Sequence, residues 1–372
     1  MTESFALKDN LNEDLAKGMA QNITAVYPQF NGDAFITQIS PQINDLELKQ
    51  RIIVFAEALH NNLPADYPTA WGILEKTLGQ PLTADDKLID GGWHYWPIAH
   101  FIEVYGLEHF AVSMQAMYEI TQRFSAEFAI RPYLMRYQEQ TLAILAQWAH
   151  DPNEHVRRLV SEGTRPRLPW AGRLYAFIED PTPTLALLKE LRDDPALYVR
   201  RSVANHLNDI AKDHPDWVVH TLAAWEMDKT AERQWIQKQA LRSLVKQGHP
   251  GALTLLGYGD PQIKLANFQI TPQTIQMGES IEFSFDLVNE NGQPQNLIVD
   301  YIIHFVKANG TTAPKVFKLK TFTLNAHEAT IIRKNHVIKP ITTRVYYSGT
   351  HAIDIQINGR IFQGDSFDLE MA

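Results

Sequence analysis

The chain has 372 residues, of which 45% are hydrophobic and 21% charged, an ordinary globular balance with enough length for two domains. It has no run of about 18 apolar residues, which excludes a predicted membrane span, and its start lacks the basic segment and apolar core of a secretory signal. Cysteine is absent, which excludes disulfides, thiol nucleophiles and cysteine-ligated zinc. We therefore expect a protein of a reducing cytoplasm.

The net charge of −9 by itself disfavours a polyanionic partner, but the charges are unevenly distributed. Residues 1–130 hold 7 Lys and Arg against 17 Asp and Glu, whereas residues 131–262 hold 17 against 16. Residues 155–173 carry five arginines and one acid, Glu162. Because salt screens charges beyond about 10 Å, such a local patch can bind a polyanion despite the acidic total. The alternative is that acids of adjacent repeats neutralise these arginines.

Residues 1–262 have the apolar periodicity of helices. Apolar residues recur at helical spacing through Ile52, Phe55 and Leu59, and again from Tyr133 to Trp148. Three Asp-Pro pairs predict helix starts, because Asp can cap a helix while Pro occupies its first turn. These pairs are Asp151-Pro152, Asp180-Pro181 and Asp194-Pro195. We therefore predict a helical domain over residues 1–262.

One sequence unit in this region occurs twice. Residues 151–158 read Asp-Pro-Asn-Glu-His-Val-Arg-Arg, and residues 194–201 read Asp-Pro-Ala-Leu-Tyr-Val-Arg-Arg, at an offset of 43 residues. That offset falls within the roughly 40–47 residue period of HEAT-type helix pairs. We therefore predict a HEAT-like α-α superhelical solenoid with paired arginines at matching points of its concave surface. A weaker echo near Trp235 lacks the arginines and is expected to close the array.

From residue 263 the apolar period changes to that of strands. Apolar and polar residues alternate over residues 281–287 and 353–357, and Asn-Gly turns fall at Gly292, Gly310 and Gly359. Several short strands separated by turns fit an antiparallel β-sandwich of immunoglobulin type, here without the usual disulfide. We therefore predict a second, immunoglobulin-like domain over residues 263–372.

The densest cluster of chemically active side chains lies in the first copy of the repeat, between His155 and Arg173. Prolines and glycines interrupt the helix there in a loop that carries Arg165, Arg167 and Trp170. Arginine binds phosphate through two parallel hydrogen bonds, and tryptophan can stack on a base or a sugar. The loop therefore suggests a nucleic-acid contact, unless Trp170 is buried in the core.

A second polar cluster follows in the second copy of the repeat. Arg201, Asn205, Asn208 and Asp209 recur three to four residues apart, on one helix face or close to it. A polar face of this size is usually solvated. On a concave surface, a carboxylate among amides and an arginine can instead hold a water molecule or stabilise a cation.

Two further features precede the repeat. Glu127 lies beside aromatic and apolar residues at a helix end, and taken alone it is interpreted as a salt-bridge partner of Arg131 or Arg136. The aromatic segment 92–100 is either a base-stacking platform or a packing seam between helix pairs. Its two histidines are six residues apart, which does not suit two ligands on one helix face, and no phosphate-loop, dinucleotide or serine-hydrolase signature occurs. We therefore predict neither a metal nor a cofactor.

Together these segments resemble the AlkC branch of the HEAT-like-repeat DNA alkylation repair glycosylases. The matching elements are Ala-Glu-Phe-Ala-Ile-Arg-Pro at 126–132, His-Val-Arg-Arg-Leu at 155–159, Ser-Glu-Gly-Thr-Arg-Pro-Arg-Leu-Pro-Trp at 161–170, and the segment 194–213. These motifs lie within residues 90–250 and are specific as a set. An appended immunoglobulin-like domain also fits this family.

The resemblance implies a DNA glycosylase of base excision repair. Its substrates would be cationic alkylated bases of the N3-methyladenine and N3-methylcytosine class in double-stranded DNA, cleaved without base flipping. Such a base leaves as a neutral molecule and needs no general acid, so a carboxylate has only to orient water and stabilise an oxocarbenium-like sugar. The resemblance assigns Glu127 and Asp209 as these catalytic acids, with Glu162 as the competitor for either role. We expect a monomer of the bacterial cytosol or nucleoid.

Other polar residues of these motifs are assigned to DNA binding. Trp170 would stack beside the deoxyribose. Arg158, Arg165 and Arg201 would hold phosphates flanking the lesion. Asn205 and Asn208 are also assigned to DNA binding. In the second domain, Lys318 and Lys320 are expected on one strand face that grips the duplex, unless that face is merely solvated.

Two other interpretations stay open. A non-catalytic HEAT-repeat scaffold for nucleic acid or protein needs no acid on its concave face and predicts no base release from alkylated DNA. A HEAT-repeat lyase that attaches a bilin to a phycobiliprotein would have to bind both, and no residue pattern here marks such a site.

Overall fold

The computed structural model describes residues 6–82, 92–225 and 230–371. The chain divides into two compact units, Met1–Asp213 and His214–Ala372. The first strand begins at Ile263, where the sequence predicts the change from helix to strand. The division between units lies earlier than the predicted domain boundary, so the last helices belong to the same unit as the strands. None of the described helices is both long enough and apolar enough to span a membrane.

Unit 1 is helical throughout its described residues. Two short 3-10 helices, Leu7–Asn10 and Ile43–Asp45, accompany its α-helices. The α-helices are α1 (Glu13–Val26), α2 (Gly32–Ile39), α3 (Leu48–Asn62), α4 (Tyr67–Glu75), α5 (Tyr95–Tyr105), α6 (Phe110–Thr121), α7 (Arg131–Arg136), α8 (Gln138–Trp148), α9 (Glu154–Gly163), α10 (Tyr175–Glu179), α11 (Thr182–Leu191) and α12 (Leu197–Ile210). Their apolar faces are buried at the predicted positions, among them Ile52, Phe55 and Leu59 of α3.

Each Asp-Pro pair forms a turn ahead of its helix, so the prediction that the Asp itself caps the helix is wrong. In Asp151, Asp180 and Asp194, Oδ1 accepts a hydrogen bond from the backbone N–H two residues later. The N-cap positions follow the aspartates and are occupied by Asn153, Pro181 and Ala196. The proline therefore lies before or at the cap because the aspartate uses its side chain to close the preceding turn.

The first arginine of each repeat copy holds its own helix start. Arg157 Nη1 donates to both carbonyl oxygens of its Asp-Pro pair, at 2.9 and 3.0 Å, and Arg200 Nη1 does the same in the second copy, at 2.6 and 2.9 Å. Arg157 also forms a two-bonded ion pair with Asp194, at 2.6 and 3.0 Å, which joins the two copies. Helices α9 and α12 accordingly pack together. The second arginines, Arg158 and Arg201, are left for other contacts.

Unit 2 begins with helices and continues as two β-sheets. Its described helices are α13 (Pro215–Ala224), α14 (Ala231–Ala240), α15 (Arg242–Gln247) and α16 (Pro250–Leu255). Its strands are β1 (Ile263–Thr271), β2 (Thr274–Gln276), β3 (Ser280–Asn289), β4 (Gln295–Val306), β5 (Thr312–Leu324), β6 (Ala329–Val337), β7 (Gly349–Ile357) and β8 (Arg360–Glu370). The predicted alternation appears in β3, where Ile281, Phe283, Phe285 and Leu287 are buried.

The two sheets enclose one apolar core. One sheet has the order β1-β3-β6 and the other β2-β8-β7-β4-β5. All pairs are antiparallel except β2 and β8, which run parallel. The β2–β8 pair is therefore an exception to the predicted antiparallel sandwich. A helical region followed by a two-sheet sandwich is thus confirmed.

The helices of unit 2 contact its strands closely. Gly248 ends α15 with φ of +75°, and an added Cβ there would lie 2.7 Å from Cα of Gly359, in the turn between β7 and β8. Gln356 Nε2 donates to the Lys246 carbonyl at 3.1 Å, and Asn358 Nδ2 donates to the Gly259 carbonyl at 2.9 Å. Glycine at both positions permits this close approach of helix and turn, because an added Cβ would clash with backbone.

Candidate active site and nucleic-acid interface

Glu127 lies in the turn before α7 and contacts Arg158, not the arginines nearest to it in sequence. Its Oε2 is 2.6 Å from Arg158 Nη1 and accepts a hydrogen bond from Ser125 Oγ at 3.1 Å. The interpretation of Glu127 as a partner of Arg131 or Arg136 is therefore wrong. The described side-chain contacts of Glu127 involve Oε2, so Oε1 is available to bind water.

Arg131 instead fixes the loop between α9 and α10. Its Nη1 donates to the carbonyl oxygens of Gly163 and Arg165, at 3.1 and 2.8 Å, and its Nη2 donates to that of Gly172 at 2.5 Å. These carbonyls lie at both ends of the loop. A buried guanidinium group thus supplies the hydrogen bonds that the irregular backbone needs.

Arg158 bridges two carboxylates. Besides Glu127, it approaches Glu162, with Nη2 3.5 Å from Oε1, and its guanidinium carbon lies 5.2 Å from the ring centroid of Tyr198. Burial alone would lower the pKa of Arg158, but the two carboxylates outweigh it and raise that pKa. Arg158 therefore stays charged between the two carboxylates.

Glu162 is the centre of the cluster. Its Oε1 accepts a hydrogen bond from Arg165 Nη1 at 2.7 Å, and its Oε2 accepts one from Ser202 Oγ at 2.5 Å. Burial alone would raise the pKa of Glu162, but Arg158, Arg165 and the Ser202 hydrogen bond outweigh it and lower that pKa. Both oxygens of this buried carboxylate are engaged, which suits a residue that positions its neighbours.

Asp209 extends the cluster on α12. Its Oδ2 accepts a hydrogen bond from Arg165 Nε at 2.8 Å, and its Oδ1 accepts one from Lys212 Nζ at 3.0 Å. The side chain of Asp209 is only 4% exposed, whereas that of Lys212 is 45% exposed. Lys212 can therefore move away at little cost, while Arg165 stays fixed between two acids.

These residues form one acidic network, defined as Glu127, Glu162 and Asp209 joined by Arg158 and Arg165. Three carboxylates face two guanidinium groups, and Lys212, paired with Asp209, adds a third positive charge. Because the network is largely buried, its field is less screened than that of surface charges. Such a site can stabilise a cation and hold a water molecule. No group of three His, Asp or Glu side chains suited to a metal occurs in the described ranges.

Most arginines of the basic patch, residues 155–173, bind carboxylates of the protein and are not free to hold phosphates as predicted. Arg158 and Arg165, predicted to hold phosphates, are paired with carboxylates, and Arg167 pairs with Asp213 at 2.8 and 2.9 Å. Acids from neighbouring elements thus neutralise most of the patch, as the alternative interpretation has it. Arg201 and Arg173 are exposed and have no carboxylate partner among the residues that the structure describes. Arg173, to which the family resemblance assigns no role, thus presents its guanidinium group to solvent.

Trp170 is placed at the surface, not in the core. Its side chain is 64% exposed, and its backbone has φ of 65°, in the left-handed region that non-glycine residues rarely adopt. Lys49 Nζ donates to its carbonyl oxygen. Strained backbone and an exposed large ring both cost stability, a combination found at functional sites. A cavity of about 270 Å³ beside Trp170 is lined by Trp96 and Met135, and by none of the three acids of the network.

The polar face of α12 is partly buried. Arg201 is exposed, Asn205 is half-buried, and Asn208 and Asp209 are buried. The four residues therefore run from the surface to the acidic network. Arg201 is exposed enough to contact DNA directly, whereas burial restricts such a contact by Asn208.

The aromatic rings of segment 92–100 pack against neighbouring rings of the protein, as expected of a packing seam. Trp96 stacks on Phe128 with ring centroids 5.6 Å apart and planes within 5°, and Trp93 and Trp96 both contact Phe124. These rings attach α5 to the turn that carries Glu127. The seam thereby helps to fix the position of that carboxylate.

The two lysines of the second domain do not share a strand face. Lys318 pairs with Asp300 of β4, whereas Lys320 pairs with Val299, because the register shifts between these partners and Leu319 is the extra residue of a bulge. Adjacent residues of β4 point to opposite faces of the sheet. The predicted common face is therefore wrong, although each lysine is exposed. Lys320 Nζ also lies 4.8 Å from the ring centroid of Phe322.

Family comparisons define the class of this protein. A family model described as "DNA alkylation repair enzyme" matches residues 123–244, the segment that contains the acidic network. A second model, described as "Uncharacterised protein YhaZ, C-terminal Ig-like domain", matches residues 264–371. The chain thus combines a DNA alkylation repair enzyme domain with an immunoglobulin-like C-terminal domain.

Whole-chain relatives narrow the assignment. The alkylpurine DNA glycosylase AlkC of Pseudomonas fluorescens, solved bound to DNA containing an abasic site analog, is 40% identical, covers 98% of this chain and 100% of its own, and superposes with a TM-score of 0.90. The uncharacterized protein YhaZ of Bacillus subtilis (strain 168) is 36% identical over 367 residues, 98% of this chain and 99% of that protein. The chain belongs to the AlkC family and is a DNA glycosylase. The predicted family, fold class and enzyme class are confirmed, and the scaffold and bilin-lyase interpretations are set aside.

Proposed function

We propose that this glycosylase hydrolyses the N-glycosidic bond of cationic alkylated bases, of the N3-methyladenine and N3-methylcytosine class, in double-stranded DNA during base excision repair. The observation that carries the proposal is the largely buried network in which two arginines hold Glu127, Glu162 and Asp209 together. A positively charged base leaves as a neutral molecule, so no general acid is needed and ionised carboxylates suffice. The solved AlkC relative is named an alkylpurine DNA glycosylase, which supports this substrate class.

Glu127 and Asp209 are proposed as the catalytic acids, with different tasks. Glu127 is the more exposed and has a free carboxylate oxygen, so it binds and orients the attacking water. Asp209 is almost fully buried, so its charge acts on the developing oxocarbenium sugar through little solvent. Glu162 contacts both Arg158 and Arg165, which in turn bind Glu127 and Asp209. Because both of its own oxygens are occupied, Glu162 is proposed to position the two catalytic acids.

DNA contacts are proposed for Trp170 and for polar residues of the α9–α10 loop and α12 around this network. Trp170 stacks beside the deoxyribose, Arg201 and Arg173 bind flanking phosphates, and Asn205 and Asn208 line the approach to Asp209. Arg158 and Arg165 are proposed to hold the acids instead of phosphates, because their donors already meet carboxylates. In the second domain Lys318 and Lys320 remain proposed DNA ligands. We infer a monomer acting on DNA in the bacterial cytosol.

Cleavage without base flipping is part of the proposal. A flipping enzyme encloses the extruded base in a pocket that carries the catalytic groups. Here the cavity beside Trp170 is lined by none of the three acids, so a base within it would not contact them. Release of N3-methyladenine and of N3-benzyladenine from the same duplex should therefore proceed at similar rates. A strong preference for the methyl adduct would instead indicate an enclosing pocket.

The catalytic assignment is tested with Asp209→Asn and a matched control, Asp213→Asn. Both aspartates accept hydrogen bonds from a loop arginine, but the Asp213 pair is near the surface and outside the network. Loss of an electrostatic group at the reacting centre costs about 10² to 10³ in rate. Single-turnover release of N3-methyladenine should fall by this factor in Asp209→Asn and stay near wild type in Asp213→Asn. An unchanged rate in Asp209→Asn removes it from the mechanism.

A further inference from the structure

A cationic groove lies within unit 2, apart from the acidic network. It runs between the helices α14–α16 and the strands β4 and β5, with a volume of about 790 Å³. Its basic rim consists of Lys238, Arg242, Lys246 and Lys318. Its floor is largely apolar and includes Val245, Leu255, Leu256, Tyr258 and Ile298.

The lysines of the rim are available to a ligand. Lys238, Lys246 and Lys318 are exposed, and none forms a salt bridge within 4.0 Å among the described residues. Among the described residues that line the groove, the one carboxylate is that of Asp300, and this residue is only 4% exposed. Burial raises the pKa of Asp300 to about 6 against the opposing effect of Lys318 and Lys246. The negative charge therefore lies in the wall, while the positive charges reach solvent.

We propose that this cationic groove is a DNA-backbone site, in which Lys238, Lys246 and Lys318 bind phosphates of the duplex. Lys238, Arg242 and Lys246 follow at four-residue intervals along α14 and α15 and line the same groove, so they form a row. A cleft lined by one sign of charge over a low-dielectric wall concentrates the field on its occupant. Lysine is a point charge that reads phosphate without reading sequence.

The proposal rests on the DNA-binding function and extends it to helices of unit 2. It also places Lys318 beside the lysines of α14 and α15, a grouping that the strand pattern alone does not predict. A groove at which several lysines meet phosphate releases counterions on binding, so its contribution depends steeply on salt. This dependence supplies the test.

The test compares Lys238→Gln/Lys246→Gln with a control of equal charge, Lys264→Gln/Lys339→Gln, whose exposed lysines lie in unit 2 but outside the groove. Affinity for an undamaged duplex is measured between 50 and 200 mM salt. Each lost phosphate contact lowers the salt slope by about 0.9, so the slope should fall by about 2 in the groove variant. Over this salt range the wild type should lose about tenfold more affinity than the groove variant. The control should keep the wild-type slope.

A second variant acts in the opposite direction. Asp300→Asn removes the negative charge beside Lys246 and Lys318, so it should tighten binding to the same duplex several-fold at pH 7.5. The proposal is overturned if the groove variant keeps the wild-type salt slope, or if the slope of the control variant falls by as much as that of the groove variant. Weaker DNA binding by Asp300→Asn would also overturn it. Because undamaged DNA requires no base excision, these outcomes are independent of whether the wild type releases N3-methyladenine.

Discussion

Ser202→Ala should destabilise the acidic network through one hydrogen bond. Ser202 is 2% exposed and donates at 2.5 Å to Glu162, whose other oxygen is bound by Arg165. Comparison of the repeat copies draws attention to it, since the first copy has Leu159 at the corresponding position. A polar residue replaces an apolar one where a buried carboxylate needs a donor.

The magnitude follows from the charge of the acceptor. A hydrogen bond to an ionised group contributes about 1.5 to 3 kcal/mol, compared with about 1 kcal/mol between neutral groups. Ser202→Ala should therefore lower the free energy of unfolding by about 2 kcal/mol at pH 7. Glu162 has a lowered pKa in the fold, so this stabilisation is present above its unfolded value and is lost as pH falls through the folded value. The deficit of the variant should accordingly shrink in acid.

Urea unfolding at several pH values is the assay, with Ser161→Ala as the control. Ser161 is also fully buried and adjoins Glu162 in sequence, but its hydroxyl has no hydrogen-bond partner in the described part of the chain. Its replacement should leave the free energy of unfolding nearly unchanged. If both variants cost the same at pH 7, Ser202 does not support the carboxylate in the way described.

Two further predictions concern Trp170 and Asp300. Trp170→Gly and Trp170→Ala should lose base release equally. The glycine variant should be more stable than the alanine variant by about 1 kcal/mol, because φ of 65° suits glycine. A higher stability of the alanine variant in thermal unfolding would contradict this prediction. Asp300 has a folded pKa near 6, raised by burial, so its favourable contribution is present below its unfolded value and is lost as pH rises through 6. Asp300→Asn should therefore gain about 2 to 3 kcal/mol over the wild type at pH 7.5 and little at pH 4; an equal gain at both pH values contradicts this.

Most of the fold could be predicted because its signals are local. The change from helical to alternating periodicity marks the start of β1 at Ile263, and the Asn-Gly turns mark the strand ends. The repeat predicts the equivalent starts of α9 and α12. The exact caps could not be predicted, because an aspartate before proline can close a turn or cap a helix with the same side chain.

The acidic network was only partly predictable. Motif resemblance identified Glu127 and Asp209, but the partners of the arginines come from other helices, as with Arg165 and Asp209, 44 residues apart. Sequence spacing within one helix carries no information on such contacts. The bulge at Leu319 was equally hidden, because strand alternation assumes a regular ladder. Exposure therefore distinguishes Arg173 and Arg201 from Arg158 and Arg165, which the sequence alone presents alike.

The central claim is that the acidic network uses the positive charge of the alkylated base. It is tested most directly by single-turnover release of cationic N3-methyladenine and of neutral O6-methylguanine from otherwise identical duplexes by the wild-type protein. Cationic base should be released far faster than it is lost spontaneously, and neutral base should not be released, because no general acid of the network can protonate it. Comparable release of both bases, or release of neither, would contradict the claim.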